Sequence, residues 1–213
     1  RLGLVSARYG RRMNPPSSYA DEIAAMARAD LSLRTALAES GALFDGYHPD
    51  MERLHNDNAH RLEAIIADIG GWPPADSIGA EAAEAAWLIA QHAIGLPDFQ
   101  RRMLALMQDA SAAGAIPAWQ PAYLEDRIRV LEGRPQIYGT QFDWDDTGVL
   151  CPAPIENAGE VNARRAAAGL NTLEEKTAEM RARAKAEGET PPKAPAARRE
   201  EADAWARKAG WRR

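Results

Sequence analysis

Apolar residues recur at three- and four-residue spacing along most of this chain, in runs closed by glycine and proline. That rhythm admits little besides packed helices. Good strand runs are scarce, so the spacing predicts a mainly α protein: a compact helical domain of about six helices with one small β-hairpin. The first helix is expected from a cap at Ser18 to about Glu39, with Asp21 completing a capping box. Ile23, Met26, Ala27, Leu31 and Leu37 are expected on its inner side, and Gly41 ends it. Pro49 suits the first turn of a second helix reaching Ile69, with a stripe of Met51, Leu54, Leu62, Ile65, Ile66 and Ile69. Gly70, Gly71, Pro73 and Pro74 stop it. A third helix, about Ala80 to Ile94, is apolar nearly all round, which marks a buried helix. Pro97 opens a fourth to about Ala113, and Pro121 a fifth to about Leu131.

The helical signal then lapses. Residues 136–142, with Ile137, Tyr138, Thr140 and Phe142, read as a strand. Asp145 to Gly148 supply a turn, and Val149 to Cys151 can pair back, so a hairpin is expected at about 135–152. Helix resumes at about Gly159 to Ala168, and Thr172 with Glu175 forms a capping box for another to about Glu187. The organisation that follows is a poorly ordered arm at 1–16, a helical domain at 17–170, and a charged helical tail at 171–213. Within the tail, the stretch near 188–195 reads as a linker before a short last helix to Ala209.

Charge narrows the function classes. The net charge of −5 is uneven: residues 171–213 hold 11 basic and 8 acidic side chains, so the remainder carries −8. No basic face is legible, and nucleic acid is not an expected partner. No run reaches the roughly 18 apolar residues of a membrane helix, so a membrane is not expected either. The single cysteine, Cys151, excludes an internal disulfide and any zinc site built from several thiolates, and suits the cytoplasm. The chain begins at Arg1, which leaves room for an upstream segment, a removed signal peptide included.

Among candidate functional residues, Gln91 and His92 stand out as a polar pair on the apolar third helix. A buried polar group without partners costs on the order of 1–3 kcal/mol, so the bland reading is a core histidine bonded to a backbone carbonyl. The sharper reading is a general acid or base, because His titrates near neutral pH. Asp126 and Arg127 flank the stripe of Leu124, Ile128 and Leu131; they read either as a surface ion pair or, for Arg127, as an anion clamp. Gln136, Tyr138, Thr140 and Gln141 crowd hydrogen-bonding groups around Gly139, which permits close approach of another backbone or a ligand. His48, His55 and His60 do not share a tight i, i+4 face, and no H-E-x-x-H, phosphate loop or nucleophile elbow occurs, so no metal or other cofactor is expected.

Read together, Gly71-Trp72-Pro73, Trp87-Leu88 leading into Gln91-His92, and Pro97-Asp98-Phe99-Gln100 resemble an uncharacterised bacterial family with a Q-H…D-P-x-F-Q core. The resemblance continues through Asp126-Arg127-Ile128, Gln136 to Gln141, and Arg164-Arg165 to Gly169-Leu170, over roughly residues 50–173. The family pattern places Asp-Pro before Phe-Gln, whereas here the order is Leu96-Pro97-Asp98. The resemblance implies a domain and no reaction. It makes Gln91, His92, Gln100, Asp126, Arg127, Gln136, Tyr138 and Gln141 the polar members of one signature, suited to a small polar or anionic ligand. On this reading the chain is a metal-independent enzyme in which His92 is the acid or base, Asp98 or Asp126 its orienter, and Arg127 the clamp. Gln91, Gln100, Gln136, Tyr138 and Gln141 would position the ligand. The alternative is a non-catalytic module that binds a peptide or protein partner, with the same groups forming a buried structural network.

Overall fold

The computed structural model describes residues 17–42 and 46–213; the expected arm at 1–16 lies outside them. Among the described residues the chain is mainly α, with one small antiparallel sheet. It forms two compact units, Arg1–Ile116 and Pro117–Arg213. The 17–170 range spans the break between them, and 171–213 lies within the second unit.

The first unit holds α1 (Ser17–Glu39), α2 (Pro49–Ile69), the single turn α3 (Ala75–Ile78), α4 (Ala80–His92) and α5 (Pro97–Ala112). Ser18 lies inside α1 rather than capping it, because the helix is already under way at Ser17. The inner face of α1 also differs from expectation. Leu31 is 48% exposed, while Asp30 is fully buried. Ile23, Ala27 and Asp30 follow one another at i, i+4 and i+7, so the helix turns a carboxylate inward along with its apolar stripe.

Helix α2 matches its expected ends. His48 caps it, with Nδ1 accepting from the Asp50 N–H at 3.2 Å, and Pro49 occupies the first turn. Gly70 closes it at φ 85°, a left-handed conformation that costs a glycine nothing. Met51, His55, Asn58, Leu62, Ile65 and Ile66 form its buried face. With Ala59 that face has seven residues, and two of them are polar, which is why the apolar residues alone did not mark the whole stripe. Helices α1, α2 and α4 pack against one another in pairs, with Ile23, Leu62, Ile65, Ala86 and Ile89 at the centre. Each fully buried aliphatic side chain contributes about 1.5–3 kcal/mol, so this three-helix core anchors whatever its polar members do.

The second unit comprises α6 (Trp119–Leu131), β1 (Phe142–Trp144), β2 (Leu150–Pro152), a 3-10 turn (Ala158–Glu160), α7 (Val161–Ala167), α8 (Leu173–Ala186) and α9 (Pro195–Lys208). The strands pair antiparallel with Asp143 opposite Cys151. Asp145 makes the turn as expected, its carboxylate accepting from the N–H groups of Thr147 and Val149 and from the Thr147 hydroxyl. Residues 136–141, however, are not strand. They form a loop joined to the chain beyond by an isolated parallel bridge between Gln136 and Ile155 and by the Ala153 N–H donating to the Gln141 carbonyl.

The reason lies in where the loop's backbone groups go. The buried Asp126 carboxylate accepts from the N–H groups of Ile137 (2.6 Å), Tyr138 (3.0 Å) and Thr140 (2.9 Å), and from the Thr140 hydroxyl (3.0 Å). On the carbonyl side, Arg164 donates to Ile137, and the fully buried Arg165 donates to Tyr138. A backbone already satisfied by side chains has nothing left to offer a ladder. Gly139, at φ 69°, lets Leu173 and Ile155 approach; a Cβ there would lie 2.6 Å from Leu173 Cδ1. The close approach expected at this glycine is therefore made by the unit's own side chains. Thr172 and Glu175 form the expected capping box of α8. Trp211, beyond the last helix, is 4% exposed and extends this unit's core.

Candidate functional site

Three helices of the first unit each bring one ionisable side chain to a common point: Asp30 from α1, His55 from α2 and His92 from α4. Asp30 Oδ2 lies 2.7 Å from His92 Nδ1, and Asp30 Oδ1 lies 3.2 Å from His55 Nε2. One carboxylate thus bridges two imidazoles, whose ring centroids are 5.2 Å apart. Tyr47 extends the chain of contacts: its hydroxyl is 2.8 Å from His55 Nδ1, and its ring stacks on the imidazole. The side chains of Asp30 and His55 are 1% and 8% exposed against 23% for His92, so His92 is the member that reaches furthest toward solvent.

The electrostatics follow from that geometry. Burial alone pushes the Asp30 carboxyl up, but hydrogen bonds from His55 and His92, with their positive charge, outweigh it and hold the group well below the usual carboxylate range. For Tyr47, burial and then the charges of Glu52 and Asp30 push the phenol up, so it stays protonated and able to donate. With Tyr47 donating to His55 Nδ1, His55 Nε2–H points at Asp30. His92 Nδ1–H then fills the second oxygen. Each carboxylate oxygen thus accepts from one imidazole N–H.

Around this cluster the helix ends are held in place. Gln100, fully buried on α5, donates through Nε2 to the carbonyls of Ala90 (2.7 Å) and Gln91 (3.0 Å), fixing the last turn of α4 that carries His92. Gln91 itself is buried on α4. Asn58 donates to the Met26 carbonyl of α1. Asn56, next to His55, has a buried Oδ1 with no hydrogen-bond partner among the described residues. It lies 3.1 Å from where a Cβ would stand on Gly95, three residues beyond His92.

The remaining sequence candidates, Asp98 apart, lie in the second unit and are occupied there. Asp126 holds the loop amides just described, so it is not the carboxylate beside His92; nor is Asp98, which is exposed and pairs with Arg101. The carboxylate at His92 is Asp30. Gln136 donates through Nε2 to the carbonyls of Gln141 and Ala153 and accepts the Gln141 N–H on Oε1. Gln141 in turn donates to the Thr140 hydroxyl. Tyr138 is half-buried, and burial, followed by the Glu125 and Asp126 charges, pushes its phenol up. Arg127 sits partly buried on α6, where burial brings its guanidinium down to about 10. Cys151 lies on β2, and burial pushes its thiol up, away from the thiolate a nucleophile requires.

Sequence reasoning missed Asp30, His55 and Tyr47. The signal for the first two was present: Asp30 continues the Ile23–Ala27 spacing, and His55 and Asn58 sit inside the Met51–Leu62 stripe. A polar residue on an apolar helical face was weighed at His92 and not at these positions. Nothing in the spacing announces Tyr47, which reaches His55 from the segment before α2.

The first unit is therefore an α-helical domain built around a buried carboxylate–histidine cluster. The chain belongs to the family of unknown function DUF6624, whose model matches residues 17–185, taking in Asp30, His55 and His92 together with the 136–141 loop. No curated protein and no solved structure matches it. Among the described residues, no helix is long and apolar enough to cross a membrane.

Proposed function

We propose that the first unit carries an acid–base catalytic centre in which His92 moves a proton and Asp30 orients and stabilises its ring. The observation that carries this reading is the 2.7 Å contact between His92 Nδ1 and a buried carboxylate. With Nδ1–H held by Asp30, the basic lone pair of the neutral ring resides on Nε2, and the carboxylate stabilises the imidazolium that forms once Nε2 takes a proton. Tyr47 and His55 keep the other carboxylate oxygen filled, so Asp30 does not turn away from its task. The substrate class is a small polar or anionic molecule, or a peptide segment, and the protein works in the cytoplasm, where a lone thiol such as Cys151 stays reduced.

The test is turnover by EDTA-treated protein against a panel of activated carboxylic esters, phosphoesters and amides. At least one class is expected to react, with His92→Asn slowing it about 10²–10⁴-fold, Asp30→Asn acting in the same direction, and His60→Ala without effect. A panel wholly untouched, or a His92→Asn variant at full rate, overturns the reading.

A further inference from the structure

We propose that Asp30, His55 and His92 form a binding site for a divalent transition-metal ion of the zinc class. The inference shares its side chains with the acid–base reading but does not depend on it. Each of the three offers one ligand atom, and these atoms all lie within 4.8 Å of one another. They come from three packed helices, not from loops, so the spacing is held by the core.

The donor set chooses the kind of ion. Two imidazole nitrogens and one carboxylate oxygen suit zinc, cobalt, nickel or ferrous iron, while calcium and magnesium prefer shells made of oxygen. At metal–ligand distances of about 2.0–2.2 Å, tetrahedral ligand atoms stand roughly 3.3 Å apart. Asp30 Oδ1 and His55 Nε2 are already 3.2 Å apart. His92 Nδ1 now bonds the other carboxylate oxygen, Oδ2, at 2.7 Å, and gives up that contact as the ion enters between the three ligand atoms. Binding requires each neutral ring to change tautomer: the proton now facing the carboxylate moves to the far nitrogen, and the near nitrogen offers its lone pair to the ion.

Tyr47 is the independent support. Histidines that ligate a metal characteristically have the far ring nitrogen held by a hydrogen-bonding partner. The Tyr47 hydroxyl stands 2.8 Å from His55 Nδ1 and accepts its proton as readily as it donates its own. A doubly charged ion would also neutralise a carboxylate that is fully buried. With the ion seated, His92 is a ligand and not a proton carrier, so the two readings assign one centre two chemistries.

Untagged full-length protein stripped with EDTA and titrated with Co²⁺ tests the proposal. Saturable binding is expected, with visible ligand-field bands that Zn²⁺ abolishes. The chain has four histidines, and the other two provide the control: His48→Ala/His60→Ala should bind as the wild type does, while Asp30→Asn or His55→Ala should weaken binding about tenfold or more. Should those variants unfold, ¹⁵N-detected imidazole spectra of the wild type decide the matter: Zn²⁺ must shift the His55 and His92 nitrogens and leave His48 and His60 alone. No saturable binding, or binding that disappears with His48 and His60, overturns the proposal. Neither result touches turnover by the stripped protein, so each reading can fail alone.

Discussion

Among the described residues, two aspartates on helices are fully buried, Asp30 in the first unit and Asp126 in the second, and they are satisfied in opposite ways. Asp126 is filled by backbone: three N–H groups and a threonine hydroxyl, all from the loop it organises. Asp30 is filled by two imidazoles from separate helices. Backbone amides can neither exchange their proton at useful rates nor ligate a cation, so Asp126 can only build. Imidazoles can do both, and the two proposals for the Asp30 cluster rest on that difference. Burial of a carboxylate is thus no evidence of function by itself. The chemistry of its donors is.

The largest effect expected from this contrast is on stability in the second unit. Asp126→Ala strands one buried and two part-buried N–H groups, each costing up to about 1–3 kcal/mol, and should lower unfolding free energy by about 3 kcal/mol in urea titration. Domains are stable by only about 5–15 kcal/mol, so the 136–141 loop should also lose amide-exchange protection. A variant as stable as the parent would show that the loop holds itself.

Asp30→Asn should cost less, about 1–2 kcal/mol, because the amide oxygen still accepts from one imidazole and the other ring can change tautomer and accept from the amide. A loss equal to that of Asp126→Ala would make Asp30 architectural too, and would break the contrast.

The smallest effect concerns Asp145, a partly exposed residue whose carboxylate is filled like that of Asp126. Hydrogen bonds from the Val149 N–H and the Thr147 hydroxyl hold Asp145 below its ordinary 3.8. A depressed acid stabilises its turn above the unfolded value, and that support fades as pH falls through the folded one. The Thr147 and Val149 amide resonances should therefore titrate with a midpoint below 3.8 in NMR spectra; a midpoint at or above it removes the turn from the set.

Much of the helical framework is legible along the chain. Pro49, Gly70, Pro97 and the Thr172–Glu175 box act within one or two turns of where they stand, and the helices they bound begin and end within a residue or two of expectation. His92 was legible for the same local reason, as a polar residue closing an apolar helix. The hairpin turn at Asp145 was local as well. The segment just before it was not, since residues 136–141 have the composition of a strand and become a loop because Asp126, Arg164 and Arg165 claim their backbone.

What the sequence by itself determined is thus the list of helices and one member of the cluster, because capping, turn chemistry and apolar spacing are short-range effects. The tertiary structure alone decided the rest of the Gln91–His92 neighbourhood: that His92 faces Asp30, 62 residues earlier, and that Asp30 also holds His55, 25 residues further on than itself. Those contacts exist because three helices pack at one angle and rotation about their own axes, turning Asp30 inward where Leu31 had the better apolar claim. Rotation is set by the sum of packing over the whole core; the Ile23–Ala27 spacing on α1 admits Asp30 on the inner face but does not say which residues it meets there.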